Sequence, residues 1–202
     1  MEGQSMSIQN YSDLQASIAG WLKRTNLTDR IPDFITLAEA TLNRQLRTRQ
    51  MTSLYTRTTD QNVITLPDDY LDAEKLDLNG DTLTYSPRWT ADAAELGIGA
   101  KNLYTMIGNS VWIMRLVDAG SIFRLFYYQR LTPLSDTEPQ NWLIEDAPDA
   151  YLYGALLQAE PYLKNDQRVQ IWSGLYGAII EAMNTNNARA RASGSALVAR
   201  AS

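Results

Sequence analysis

Apolar residues recur at helical spacing near both ends of the chain and at strand spacing in its middle. Leu14, Ile18, Trp21 and Leu22 stand at i, i+4, i+7 and i+8, the stripe of an amphipathic helix running from Ser12 to Arg24. Ser12 with Gln15 forms a capping-box pattern. Asn26–Asp29 is a break, with Thr28 or Asp29 placed to cap the next helix. That helix, from Arg30 to Arg47, carries the stripe Ile31, Phe34, Ile35, Ala38, Leu42 and Leu46. Pro32 fits only a first turn and so sets its start. Arg44, Arg47 and Arg49 complement the dipole at its end. The short connection predicts an antiparallel helical hairpin.

From Met51 to Arg130 the period changes to that of strands. Met51–Thr58 alternates and is rich in Thr and Tyr, and Val63–Leu66 is a short apolar run stopped by Pro67-Asp68-Asp69. Asn79-Gly80, between Leu76/Leu78 and Leu83/Tyr85, is a strong hairpin signal. Gly108-Asn109 is a second turn, after Leu103–Ile107. Asp118-Ala119-Gly120 predicts a third hairpin, between Val111–Val117 and Ile122–Gln129. Apolar residues on both faces of Val111–Val117 predict a strand buried on both sides. The spacing of turns points to a small sandwich or barrel-like sheet, with a short helix near Trp89 to Leu96.

Leu131 to Ile144 reads as a loop. A third helix starts near Asp146 or Ala147, with Pro148 in its first turn and Leu152, Ala155, Leu156 and Ala159 apolar; Pro161 kinks or ends it. Lys164-Asn165-Asp166 marks a bend. A fourth helix, Asp166 to Asn186, presents Val169, Trp172, Tyr176, Ile179, Ile180 and Met183. From Asn187 the chain turns to Ala, Arg, Ser and Gly without a core-forming stripe, which predicts a segment disordered until a partner orders it. The fold class expected is α+β: an α-helical bundle from the N- and C-terminal helix pairs, with an inserted small antiparallel β domain and a flexible C-terminal tail. The expected divisions are 7–50 (helical hairpin), 51–130 (β domain), 131–186 (helices completing the bundle) and 187–202 (tail).

Composition narrows the chemistry. The chain has 202 residues and is 45% hydrophobic, enough for a sizeable core. Its net charge of -5 argues against a nucleic-acid-binding domain. There is no Cys and no His, which removes disulfides, thiol catalysis, the common catalytic base and the common transition-metal ligand. No apolar run approaches the ~20 residues a membrane span needs. Met1–Ser5 carries no signal pattern and, with a second Met at position 6, reads as an alternative start or a remnant.

What remains for catalysis is weak. Asp68-Asp69 reads as a turn pair and Glu145-Asp146 as a helix cap; neither adjacent pair is set to flank a glycosidic bond. Gly97-Ile98-Gly99 lacks the rest of a phosphate loop. No enzyme activity, metal or cofactor is expected. Trp21 and Trp172, on apolar stripes, read as core. Trp142 stays open between core and interface, and one of Tyr127 and Tyr128 must face away from the core. Arg189, Arg191 and Arg200 are too sparse for strong phosphate binding, so the basic tail reads as a docking arm before a DNA-binding one; an inert tail is the bland alternative.

Three stretches resemble a known family. They are Tyr11-Ser12-Asp13-Leu14 with Gly20-Trp21-Leu22-Lys23-Arg24, then Ile31-Pro32-Asp33-Phe34-Ile35-Thr36-Leu37-Ala38-Glu39-Ala40 with Leu42-Asn43-Arg44, and finally Pro148–Leu157 with Glu160–Asp166. Leu66-Pro67-Asp68-Asp69-Tyr70-Leu71 and Leu134-Ser135-Asp136 are lesser matches. In this combination the chain resembles the head-to-tail adaptors, or connectors, of tailed bacteriophages, which dock on the capsid portal. The resemblance implies a structural virion protein of the neck that self-associates into a ring, usually a dodecamer, after its time in the host cytoplasm. It implies the portal protein on one side and a tail nozzle, stopper or tail-completion protein on the other, with viral DNA as passing cargo and no membrane. By position, the portal-docking residues implied are Arg189, Arg191, Leu197, Val198 and Arg200. The alternatives are another tail-completion or tail-associated virion protein, a carboxylate-based polysaccharide hydrolase, and a DNA-binding module.

Overall fold

A computed structural model describes residues 7–87, 102–163 and 167–194, with side chains as far as Arg189. The fold is mixed α and β, with two compact units: Met1–Gln50 with Leu131–Ser202, and Met51–Arg130. The expected helix near Trp89 to Leu96, the Gly97–Gly99 loop, the Lys164–Asp166 bend and the segment after Gly194 lie outside the described residues.

The first unit holds α1 (Tyr11–Leu22), α2 (Ile31–Gln45), α3 (Trp142–Asp146), α4 (Pro148–Gln158) and α5 (Arg168–Gly194). Helix α4 packs against each of the other four. Helix α1 is capped by Asn10, not Ser12: the Asp13 amide donates to the Asn10 side-chain oxygen at 2.9 Å. Its Leu14, Ile18 and Leu22 are buried, whereas Trp21 is 43% exposed and meets the Tyr153 ring edge-on at 5.9 Å. The stripe is therefore narrower than its apolar residues, and Trp21 sits on its rim. A 3-10 turn, Thr25–Arg30, runs straight into α2, so neither Thr28 nor Asp29 caps it. The whole expected stripe of α2 is buried. The segment read as a loop contains α3, nucleated by Asn141, whose side-chain oxygen accepts from the amides of Leu143 and Ile144, both at 3.1 Å. Helix α4 ends at Gln158, before a 3-10 turn over Glu160–Tyr162 that accommodates Pro161. Helix α5 continues through Gly194 instead of ending near Asn186. The run Ala188-Arg189-Ala190-Arg191-Ala192 consists of strong helix formers and needs no core to stay helical.

The second unit holds β1 (Thr52–Thr59), β2 (Val63–Thr65), β3 (Tyr70–Leu78), β4 (Asp81–Thr82), β5 (Thr84–Tyr85), β6 (Leu103–Ile107), β7 (Ser110–Ile113) and β8 (Ser121–Gln129). They form two four-stranded sheets, ordered β1-β8-β3-β4 and β2-β7-β6-β5. All pairings are antiparallel except β5 with β6. One core, including Ile64, Leu76, Val111, Ile113, Phe123 and Leu125, draws on both sheets. Asn79 (φ 56°) and Gly80 (φ 91°) supply the two positive φ values of a type I′ hairpin between β3 and β4. Gly108 (φ 59°) opens the β6–β7 turn. Asp118–Gly120 is not a hairpin: β7 pairs with β2 and β6, and β8 with β1 and β3, so the chain changes sheet there. Strand β7 is also not buried on both faces. Val111 and Ile113 are buried, Trp112 and Met114 half-buried, and Leu116 is 93% exposed.

Candidate functional site

Helix α5 is the least covered apolar element of the first unit. Of its expected stripe only Trp172 and Tyr176 are buried, while Val169, Ile179, Ile180 and Met183 are half-buried. Beside that stripe lies an open one. Ile171 (62% exposed), Leu175 (42% exposed), Ala178 and Ala182 follow one another at i, i+4, i+7 and i+11, with Gly174 among them. A methyl group added at Gly174 would meet nothing within 4 Å. Glu181 is the only charged residue between Val169 and Ala188. A solvent-facing helix face this poor in charge is unusual. At its start the Arg168 guanidinium donates to the Trp21 carbonyl at 3.0 Å and lies 5.2 Å from the centre of the Trp172 ring. The exposed Trp21 thereby stands at the same end.

The far half of α5 is held to the segment that follows α2. Asn184 accepts from the Arg47 amide at 3.2 Å and donates to the Gln45 carbonyl at 3.0 Å. Asn187 accepts from the Arg49 amide at 2.9 Å and donates to the Arg47 carbonyl at 2.7 Å. Two side-chain amides thus read alternate peptide groups of an extended segment as a neighbouring strand would. The Tyr176 hydroxyl adds a bond to the Gln45 side chain at 2.8 Å, and burial pushes its pKa up to about 12. Asn187 is therefore a fixed structural residue and not the first residue of a free arm.

Glu39 on α2 is a buried carboxylate of the first unit. One of its carboxylate oxygens accepts from the Leu134 amide at 2.8 Å and from the Tyr151 hydroxyl at 3.2 Å. The Asn141 amide donates to the Tyr151 oxygen and to the Thr132 carbonyl, both at 2.7 Å. Burial raises the Glu39 pKa, opposed by those two donors. Burial and then the Glu39 charge push the Tyr151 hydroxyl far above its ordinary value, so it keeps its proton and donates. These groups pin the chain between β8 and α3 to the helices.

An open apolar groove of about 560 Å³ lies between α2 and the turn after α4, with Leu37 and Tyr162 half exposed on its lips. The acidic pairs do not line it. Asp68 and Asp69 occupy an exposed turn, where Asp69 accepts from the Tyr127 hydroxyl at 2.9 Å. Glu145 and Asp146 end α3 and do not cap α4, whose N-cap is Ala147; Asp146 accepts from the Gln50 amide at 3.2 Å. Among the described residues no group of three or more acidic side chains is gathered to hold a metal ion. No helix among them is long and apolar enough to cross a membrane.

The family model described as SU10 adaptor protein matches residues 9–200. The chain belongs to the SU10 adaptor family. This is a family of phage head–tail adaptors, and membership implies contact with other proteins of the phage head or tail. A comparison with curated proteins returned no match. Of the residues expected to dock this adaptor, Arg189 is exposed on α5 and Arg191 lies in its last turns; Leu197, Val198 and Arg200 are outside the described residues. Trp142 is half-buried, and Tyr127 is buried while Tyr128 is only half-buried. The open face of α5, the Asn184–Asn187 clamp and buried Glu39 were not singled out from the sequence. The near absence of charge along α5 and the Asn cluster inside a helix, where Asn is a poor helix former, were the legible signals.

Proposed function

We propose that this SU10-family adaptor is a structural component of the virion neck, forming a ring between the capsid portal and the tail through which DNA passes. The observation that carries this reading is the uncovered apolar face of α5 on a chain matched almost end to end by an adaptor family. In this reading α1 and α2 close with α4 and α5 into one bundle. A neighbouring subunit covers Ile171, Leu175 and Trp21 by a heterologous contact that closes by rotation, as a dodecamer. The arm carrying Arg189, Arg191, Leu197, Val198 and Arg200 docks on the portal, and the opposite side of the ring receives a nozzle, stopper or tail-completion protein. The role is assembly and not catalysis. The net charge of -5 suits a channel that lets DNA slide without holding it.

The test is sedimentation of the chain alone and mixed with the portal ring from the same genome. Comigration with the portal at a fixed multiple is expected, lost on removing 189–202, a truncation that keeps the Asn187 clamp. Absence of any association, with the chain folded by circular dichroism, would sink the reading.

A further inference from the structure

We infer that Asn79 is a site of spontaneous deamidation in this chain, and that its clamp to the start of β8 holds the reaction shut while the β unit is folded. The inference stands on the β unit alone and goes beyond the ring reading. Asn79-Gly80 is the one Asn-Gly pair in the sequence. Glycine has no side chain to hinder attack by its own nitrogen. Both residues are exposed to water. A methyl group at Gly80 would meet only the Arg124 Nη2, at 4.0 Å. The chemistry needs no reagent but water. The Gly80 backbone nitrogen gives its proton to hydroxide and attacks the Asn79 Cγ. The Nδ2 leaves as ammonia, and a cyclic succinimide remains. Water then opens either carbonyl of the ring, giving an aspartyl residue or an isoaspartyl one whose main chain runs through Cγ.

Hydrogen bonds from main chain and side chain oppose the first step. The Asn79 amide donates to the Ile122 carbonyl at 2.8 Å, and the Ile122 amide donates to the Asn79 Oδ1 at 2.8 Å. The Nδ2 donates to the hydroxyl of buried Ser121 at 3.2 Å. Asn79 thus bonds Ile122 in both directions, as a strand neighbour would, with its side chain supplying the acceptor. It carries the β3–β8 pairing one residue past Leu78↔Phe123. Attack at Cγ makes that carbon tetrahedral and expels Nδ2, so the planar carboxamide that makes both side-chain bonds is destroyed. The product also fits the turn badly. An isoaspartyl link adds a main-chain atom to a hairpin whose two central residues both hold positive φ. The pairs Leu78↔Asp81 and Asp77↔Thr82 follow at once and leave no slack for it. The turn calls for the reactive dipeptide, and the end of the sheet keeps the reactive side chain occupied.

The full chain is incubated at mildly alkaline pH, folded in buffer and unfolded in urea. Aspartyl and isoaspartyl products at position 79 are followed by mass spectrometry of the proteolytic peptide that contains it. Conversion is expected to be at least about tenfold slower in the folded chain, because reaction waits on local opening. Ser121→Ala removes the acceptor of Nδ2. It should speed conversion severalfold in buffer, with the fold checked by circular dichroism, and leave the rate in urea unchanged. Equal rates for the native chain in buffer and in urea would overturn the inference. So would a folded Ser121→Ala chain that converts at the native rate, or a chain in urea whose first modified asparagine is not Asn79. The native comparison decides the matter even where the variant fails to fold. None of these outcomes bears on portal association, which is read by sedimentation.

Discussion

Helices α4 and α5 are neighbours in sequence and alike in chemistry, yet their own chain covers them very differently. Asp149 is the one charged residue of α4, and Glu181 the one between Val169 and Ala188 of α5. In α4, Ala150, Tyr151, Leu152, Gly154, Ala155 and Leu156 are buried. In α5, among the described side chains, only Trp172 and Tyr176 are. A methyl group at Gly154 would meet the Tyr176 ring at 3.3 Å and the Ala38 methyl at 3.4 Å, whereas one at Gly174 would meet nothing. An apolar stripe states that a helix needs cover; it does not state which chain supplies it. Helix α4 is finished within the monomer. Helix α5 is finished on one side only.

If α4 is interior, removing a side chain from it should have the largest effect on stability. Leu156→Ala, at a fully buried position, is expected to cost about 3 kcal/mol, read from urea denaturation. Next comes the polar contact that ties α4 to α2. Glu39→Leu removes the acceptor of both the Leu134 amide and the Tyr151 hydroxyl and is expected to cost about 2 kcal/mol. Glu39→Gln keeps an acceptor and drops the charge, so it should be close to neutral. The two variants separate the hydrogen bonds from the carboxylate. The pH dependence adds a sign. The folded pKa of Glu39 lies above its unfolded value, chiefly because burial disfavours the charge. Its contribution to stability is therefore fully present below the unfolded pKa and lost as pH rises through the folded one. Relative to Glu39→Gln, the native chain should lose stability over that rise; melts across the acid-to-neutral range that run parallel would refute it.

How much of this was legible follows from what each signal reports. The Asn79-Gly80 hairpin was, because few residue pairs tolerate two positive φ values in succession. The α2 stripe and its start at Pro32 were, because proline is confined to a first turn. The sheet change at Asp118–Gly120 was not: a turn signal says that the chain reverses, not which strand it then meets. The exposure of Trp21 and the half-burial of Ile179, Ile180 and Met183 were not, because periodicity is the same for a core face and an interface face. The end of α5 was missed because core-forming residues were required of it. The run from Ala188 to Ala192 is helical by propensity instead. Glu39 lay inside a family-like stretch, but its burial depends on Leu134 and Tyr151, far along the chain.

The clamp sharpens the comparison on the covered side of α5. Asn187→Leu should leave the Arg49 amide and the Arg47 carbonyl to water, a loss of about 1 kcal/mol, and the neighbouring Asn184 should limit the damage. Asn184→Leu with Asn187→Leu should lose more than the sum of the singles, because each holds the extended segment in place for the other. Simple additivity in this double-mutant cycle would mean that the two amides act independently.

The smallest effect on stability should come from the open side of α5, and it carries the most information. Leu175→Asp adds a charge to a residue that is 42% exposed, so the stability of the chain should change by less than about 0.5 kcal/mol. The same charge placed in a subunit contact would be desolvated without a partner, and assembly should fail. Leu152→Asp on α4, at a buried position, should instead unfold the chain before assembly can be asked about. Sedimentation with the portal ring, paired with a denaturation curve for each variant, reads both quantities. Normal stability with lost assembly for Leu175→Asp would locate the subunit contact on α5. Normal stability with normal assembly would remove that face from the proposed subunit contact and move the contact to the groove flanked by Leu37 and Tyr162.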